Sequence, residues 1–370
     1  MGGSLNIGKL AGIKIFVHWT FLILIAYIIF NGLSEGNNAM EITFHILLVL
    51  AVFACVVFHE MGHALAARRY GIGTRDITLL PIGGVASLES IPEKPKQELI
   101  VAIAGPMVNV VIALTLGLIA TLFIDQTNFL PENIEGTLQH LNFNTFVISL
   151  IMVNVMLVLF NAIPAFPMDG GRVLRAVLAM TMDRVKATQI AARIGQFIAI
   201  LFVLAGLFYV KNPFLILIGV FVFLGAAAEA QSVTTGSILT GFKVRDVIRT
   251  KYTLLNSSST LKNAVDELLA GADQDFLVSE NNSIAGILRR KDLLKALSEN
   301  GNDSPITPYI IRNLPYLKLD DDIKGIYPMM QQNGFSLLPV LDVTGNLVGI
   351  LDLENLAEFV MIRSAIVSKN

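Results

Sequence analysis

Apolar residues fill the first two thirds of the chain in long blocks, and the polar residues collect between them. A membrane-spanning helix needs about 20 mainly apolar residues. The pattern predicts such helices at about 13–32, 42–66, 99–124, 144–164, 190–210 and 212–230. The block at 144–164 is short and runs into Pro164 and Pro167. Beyond residue 231 the pattern changes. Residues 232–242 are rich in Ser, Thr and Gly and read as a linker. After it, short apolar runs alternate with polar turns, and residues 285–294 resemble residues 348–357. Each copy reads as helix, strand, turn, strand, helix. The expected organisation is therefore a membrane domain, 1–231, the linker, and two related copies, 243–300 and 301–370.

Composition agrees with this division. Charged residues make up 15% of the chain and hydrophobic residues 54%, against roughly 25% charged in a soluble domain. The net charge of −2 points to no nucleic-acid partner. The single cysteine, Cys55, excludes an internal disulfide and any Cys₂His₂ zinc site. The first ten residues have no small-residue cleavage site after a short apolar core, so no cleaved leader is expected. Basic residues sort into three clusters: Lys9 and Lys14; Arg68, Arg69, Arg75, Lys94 and Lys96; and Arg172, Arg175, Arg184, Lys186 and Arg193. Placing these clusters on the cytoplasmic face of a six-span protein puts both termini in the cytoplasm. The second and fourth spans then run from outside to inside.

The chemistry lies at the inner end of the second span. His59, Glu60 and His63 form His-Glu-x-x-His. On a helix, a spacing of four sets both imidazoles on one face, one turn apart, where both can reach one metal ion. Glu60 is placed to act as base toward a water on that metal. Ionisable groups at membrane depth are costly and usually mark function. Catalytic zinc needs a third protein ligand, and the fourth span brings Asp169 to the same depth. Asp169 follows Pro164 and Pro167 and precedes Gly170 and Gly171. Such irregular backbone is tolerated in a membrane where it lines a polar cavity. Glu89 and Glu98 are rival third ligands, but nearby basic residues make a solvated role the expectation for both. Gly105, Pro106 and Asn109 open the third span. Close helix packing accounts for the glycine, and Asn109 is expected to bond across helices.

These residues resemble the site-2 protease family of intramembrane zinc metalloproteases. The resemblance rests on His59 to His63, on Gly83-Gly84-Val85-Ala86, on Gly105-Pro106-Met107-Val108-Asn109 and on the stretch from Asn161 to Arg172. Met168 stands where the family often has leucine, a volume-conserving change. The resemblance implies that His59, His63 and Asp169 hold one zinc ion and that Glu60 is the base. It also implies that Asn161 faces the scissile peptide, binding substrate or stabilising the oxyanion. The substrates would be transmembrane proteins in a lipid bilayer, such as membrane-tethered transcription regulators. A substrate helix must unwind before it can be cut. Residues 79–88 are expected to form a hairpin whose edge, at Gly83, Gly84 and Val85, pairs with the unwound strand.

The repeated copies resemble CBS domains, which pair into one module and often bind adenine nucleotides. The family's ribose motif is only partly present. Gly286 and Asp292 fit it, while Arg289 takes the hydroxyl position; in the second copy Asp352 and Asn355 depart from it. Asp292 is the candidate ribose ligand and Arg289 the candidate phosphate contact. Homodimerisation through the pair is a further expectation. The whole reads as a polytopic α-helical membrane protein of about six transmembrane helices with a C-terminal cytoplasmic α/β CBS pair. The competing reading is a CBS-regulated transporter or channel with a metal-ion path, which needs neither Glu60 nor the Asn161-to-Arg172 segment.

Overall fold

In the computed structural model, residues 3–81, 83–90, 92–123, 143–271, 273–281 and 283–367 are described. Two compact units divide the chain, Met1–Gln231 and Ser232–Asn370.

The first unit begins with strands. β1 (Ser4–Leu10), β2 (Ile13–His18), β3 (Thr74–Leu80) and β4 (Gly83–Leu88) form one sheet in the order β1-β2-β3-β4. β2 and β3 run parallel, and the outer pairs are antiparallel. The alternation of Ile13 and Ile15, matched by Ile77 and Leu79, gives this sheet one apolar face. That face packs on Phe53, Val57, Met61 and Ala64 of helix α2 (Ala39–Arg68). The sheet therefore lies against the part of α2 that carries the histidines.

This corrects the first expected span. Residues 13–18 are a strand, because their β-branched alternation buries one side on α2. What remains is α1 (Thr20–Ser34), 15 residues long, or about 22 Å, short of a ~30 Å bilayer core. Five helices are long and apolar enough to cross a membrane among the described residues. They are α2, α3 (Pro95–Phe123), α4 (Phe143–Ala162), α6 (Arg184–Leu204, continued by a π-helical turn, Ala205–Tyr209) and α7 (Pro213–Leu239). Between α4 and α6 lies the ten-residue helix α5 (Asp169–Leu178). The chain reaches it through the irregular stretch 163–168.

The second unit contains two copies of one topology. β5 (Leu254–Asn256), α8 (Leu261–Leu269), β6 (Phe276–Glu280), β7 (Ser283–Leu288) and α9 (Arg290–Glu299) make the first. β8 (Leu317–Lys318), α10 (Ile323–Asn333), β9 (Leu337–Leu341), β10 (Leu347–Asp352) and α11 (Leu353–Val367) make the second. In each, a parallel pair is followed by an antiparallel hairpin. Leu277 and Ile287 of one sheet share a buried core with Leu337 and Ile350 of the other. The stretch read as a linker, 232–242, is helical through Leu239. It holds no proline to stop a helix, and Leu239 gains burial in the core of the second copy.

Candidate metal centre

α2 and α3 are held unusually close. A side chain at Gly62 would lie 2.7 Å from the backbone oxygen of Ala104, so glycine lets the two backbones approach. This brings α3's acceptors to both histidines. His59 Nδ1 donates to Asn109 Oδ1 at 2.5 Å, and His63 Nδ1 donates to the backbone oxygen of Val101 at 2.7 Å. The amide orientation of Asn109 is fixed by its other end, because Asn109 Nδ2 donates to Asn154 Oδ1 at 2.8 Å. Asn154 Nδ2 in turn donates to the backbone oxygen of Leu150 at 2.8 Å. With both Nδ1 atoms engaged as donors, each neutral ring presents a lone pair at Nε2.

Those two lone pairs face each other. His59 Nε2 and His63 Nε2 are 3.1 Å apart, and Asp169 Oδ2 lies 3.2 Å from the first and 3.0 Å from the second. All three residues are buried. Three acceptor atoms thus converge where no donor sits between them, which is unfavourable unless a cation does. Ligand atoms at about 2.0–2.1 Å from a tetrahedral zinc ion would lie about 3.3 Å from one another. The observed spacings and the two-imidazole, one-carboxylate donor set fit zinc.

Local sequence explains how each group arrives. Asp169 is the first residue of α5, but the helix N-cap is Met168 and makes no side-chain cap bond. The carboxylate is turned to the histidines instead. Gly170 and Gly171 let α5 start tight against the preceding turn, since side chains there would lie 2.3 Å from the Ile163 oxygen and 2.6 Å from the Ala165 carbonyl carbon. Gly105 has a sharper role than helix packing. A Cβ at this position would lie 2.2 Å from His63 Nε2, so glycine keeps open the space at the atom that meets His59 and Asp169.

Glu60 sits one residue along α2 and is partly buried. Its Oε2 accepts from the Ala86 N–H of β4 at 3.2 Å. Gly84 allows this approach, because a Cβ there would lie 2.9 Å from Val56 Cγ1 and 3.0 Å from Glu60 Cγ. Gly83 opens β4 with a φ of 139°, and Val85 is exposed. β4 therefore runs beside Glu60.

Other sequence candidates fall elsewhere. Asn161, in the last turn of α4, donates its Nδ2 to the Leu157 oxygen at 3.0 Å, back along its own helix. Glu98 is not solvated as expected but 2% exposed, paired with Arg175 and Arg184. Those cations come from helices far along the chain, so local charge did not reveal the burial. Glu89 is exposed. Asn154 and the Val101 carbonyl were not singled out in the sequence. A polar asparagine within an apolar span was the available signal for Asn154. In the second unit, Arg289 Nε donates to Asp292 Oδ2 at 2.6 Å. In the other copy, Asp352 pairs with Arg249 at 3.3 Å, and Asn355 donates to the Val247 oxygen at 2.5 Å.

A buried pair of histidines and a carboxylate among apolar helices, with a glutamate beside it, defines a membrane-embedded metallohydrolase. Comparison with known proteins makes this specific. Residues 47–204 match the model of peptidase family M50, and residues 244–299 and 306–362 match that of the CBS domain. The zinc metalloprotease MJ0392 of Methanocaldococcus jannaschii is 35% identical over 288 residues, 78% of this chain and 78% of that one. The solved site-2 protease from Methanocaldococcus jannaschii is 39% identical, covering 61% of this chain and 95% of its own, with a TM-score of 0.44. The chain belongs to peptidase family M50, the site-2 protease family of zinc metalloproteases, and carries a CBS domain pair. It is a metalloendopeptidase and an integral membrane protein.

Proposed function

We propose that this protein hydrolyses peptide bonds within or near the transmembrane segments of membrane proteins, as a step of regulated intramembrane proteolysis. His59, His63 and Asp169 hold one zinc ion. With the basic clusters on the cytoplasmic side, the metal lies near the cytoplasmic ends of α2 and α4, the end of α2 at which β2 pairs with β3. The observation that carries the reading is the meeting of three acceptor atoms, 3.0–3.2 Å apart, with both Nδ1 atoms already spent as donors.

Zinc at this site would supply Lewis-acid polarisation of the peptide carbonyl and of the attacking water. Glu60 takes the proton from that water and passes it to the leaving amine. Asn109 and the Val101 carbonyl hold the two imidazoles in the tautomer that leaves Nε2 free. Asn161 turns from the Leu157 carbonyl to donate to the developing oxyanion. An unwound substrate strand adds along β4 at Gly83, Gly84 and Val85, which brings its backbone past Glu60. The Ala86–Glu60 bond supports this path, because it ties β4 to the base.

The CBS pair modulates the protease by binding an adenine nucleotide in its first copy, and it joins two chains as a homodimer. The Arg289–Asp292 pair uses Nε and Oδ2. The guanidinium Nη atoms then meet a phosphate and Asp292 Oδ1 a ribose hydroxyl.

Reconstitution in vesicles with a single-span model substrate tests the mechanism. Glu60→Gln should keep about one zinc per chain and lose cleavage by at least ~100-fold, the scale of general acid–base catalysis. Cleavage at the wild-type rate would refute the role of Glu60.

A further inference from the structure

Arg175 is fully buried in the membrane unit. Its Nε donates to Glu98 Oε1 at 2.7 Å, its Nη2 lies 2.5 Å from the same oxygen, and its Nη1 pairs with Glu229. Glu98 Oε2 lies 3.2 Å from Arg184 Nη1, which also donates to the Pro92 oxygen at 2.8 Å. Two cations and two carboxylates from α3, α5, α6 and α7 thus form one neutral network. Burying charges, Arg175 and Glu98 fully and Arg184 and Glu229 in part, is costly, and apolar residues of similar volume often stabilise as well or better. What the network adds is direction, because a guanidinium fork fixes geometry that greasy packing leaves loose.

The direction matters because of what the joined helices carry. α3 holds Glu98 one turn before Val101, whose carbonyl orients His63, and also bears Asn109, which orients His59. α5 begins at Asp169 and carries Arg175 less than two turns later. The guanidinium of Arg175 also lies over the ring of Phe166, 4.9 Å from its centroid, in the turn that delivers Asp169. We propose that Arg175 is a positioning residue for the metal centre: through Glu98 and Phe166 it sets Asp169 against the two histidines that α3 orients. This rests on the reading of His59, His63 and Asp169 as the zinc ligands.

The test is zinc affinity in purified full-length protein, by chelator competition, alongside thermal unfolding and the visible spectrum of the cobalt-substituted protein. Arg175→Lys keeps the charge but loses the fork and the ring contact. It should weaken zinc binding about 10–100-fold and shift the cobalt spectrum. Glu229→Gln removes one arm at a partly exposed carboxylate and should weaken zinc several-fold. The double variant Glu98→Gln/Arg175→Met removes the fully buried pair and keeps the network neutral, and the charges that remain, Arg184 and Glu229, are both partly exposed. It should unfold near the wild-type temperature yet still bind zinc weakly, which a purely structural role would not produce. Wild-type zinc affinity in any of these variants that folds overturns the proposal. Aggregation of all three assigns the network to folding alone and overturns it too. A wild-type protein that binds no zinc would instead remove the zinc reading, a result visible before any variant is made.

Discussion

Gly105→Ala adds one methyl group, and its effect can be worked from the geometry. The new Cβ would lie 2.2 Å from His63 Nε2, 2.5 Å from Cε1 and 2.7 Å from Cδ2. Ordinary contacts to a ring atom begin near 3.5 Å, so the imidazole must retreat by about 1 Å. It is tied in place by its 2.7 Å bond to the Val101 oxygen. Metal–ligand distances tolerate about 0.2 Å, so a 1 Å retreat amounts to loss of one ligand. Zinc affinity should fall at least ~100-fold, or about 2.7 kcal/mol. Overpacking adds a stability cost of about 1–3 kcal/mol, so helix content must be followed by circular dichroism. Gly117→Ala is the control on the same helix, because a Cβ there meets no heavy atom within 4 Å. It should keep both zinc and activity. Chelator competition on the two variants decides. If Gly105→Ala binds zinc like wild type, Nε2 of His63 does not face the metal and the proposed ligand set is wrong.

Three further outcomes follow from the same geometry. Asn109→Ala frees His59 Nδ1 and should weaken zinc about 10–100-fold; Asn154→Ala, one bond further out, should do less, and equal effects would contradict the ordered chain from Asn154 through Asn109 to His59. Gly84→Val crowds Val56 and Glu60, so it should displace β4 and lower kcat/KM with zinc retained; loss of zinc instead would place the damage at the metal rather than at the substrate path. Arg249→Met leaves the carboxylates of Asp273 and Asp352 without their shared cation. Breaking a fully buried pair costs about 3–5 kcal/mol, and Arg249 is a third exposed, so about 2–3 kcal/mol is expected here. Limited proteolysis should then cut faster within residues 232–370, and an unchanged rate would refute the estimate.

The cluster of His59, His63 and Asp169 was legible because its chemistry is local. Two histidines four apart read as one helix face, and the basic clusters carried Asp169 to the same depth without a structure. The hairpin at residues 79–88 was equally plain, since Gly83 and Gly84 mark it and β3 pairs with β4 across it. Elements that depend on distant partners were not legible. Residues 13–18 read as the start of a spanning helix, yet pairing with β1 and β3 makes them a strand. Residues 232–242 read as a linker by composition, which did not show that the helix before them continues through Leu239. Glu98 read as solvated, and cations from α5 and α6 bury it. Gly105 read as a packing glycine, when the atom it makes room for belongs to His63. In each case the deciding neighbour lies many residues away, where periodicity and local charge carry no information.

The central claim is one zinc held by two imidazoles and one carboxylate. X-ray absorption at the zinc edge of the purified protein tests it most directly. The predicted result is about one zinc per chain, with nitrogen and oxygen scatterers at about 2.0–2.1 Å, two of them imidazole, and loss of that signal in Asp169→Ala. A sulfur scatterer near 2.3 Å, which only Cys55 or a methionine could supply, or an unchanged spectrum in Asp169→Ala, would contradict it.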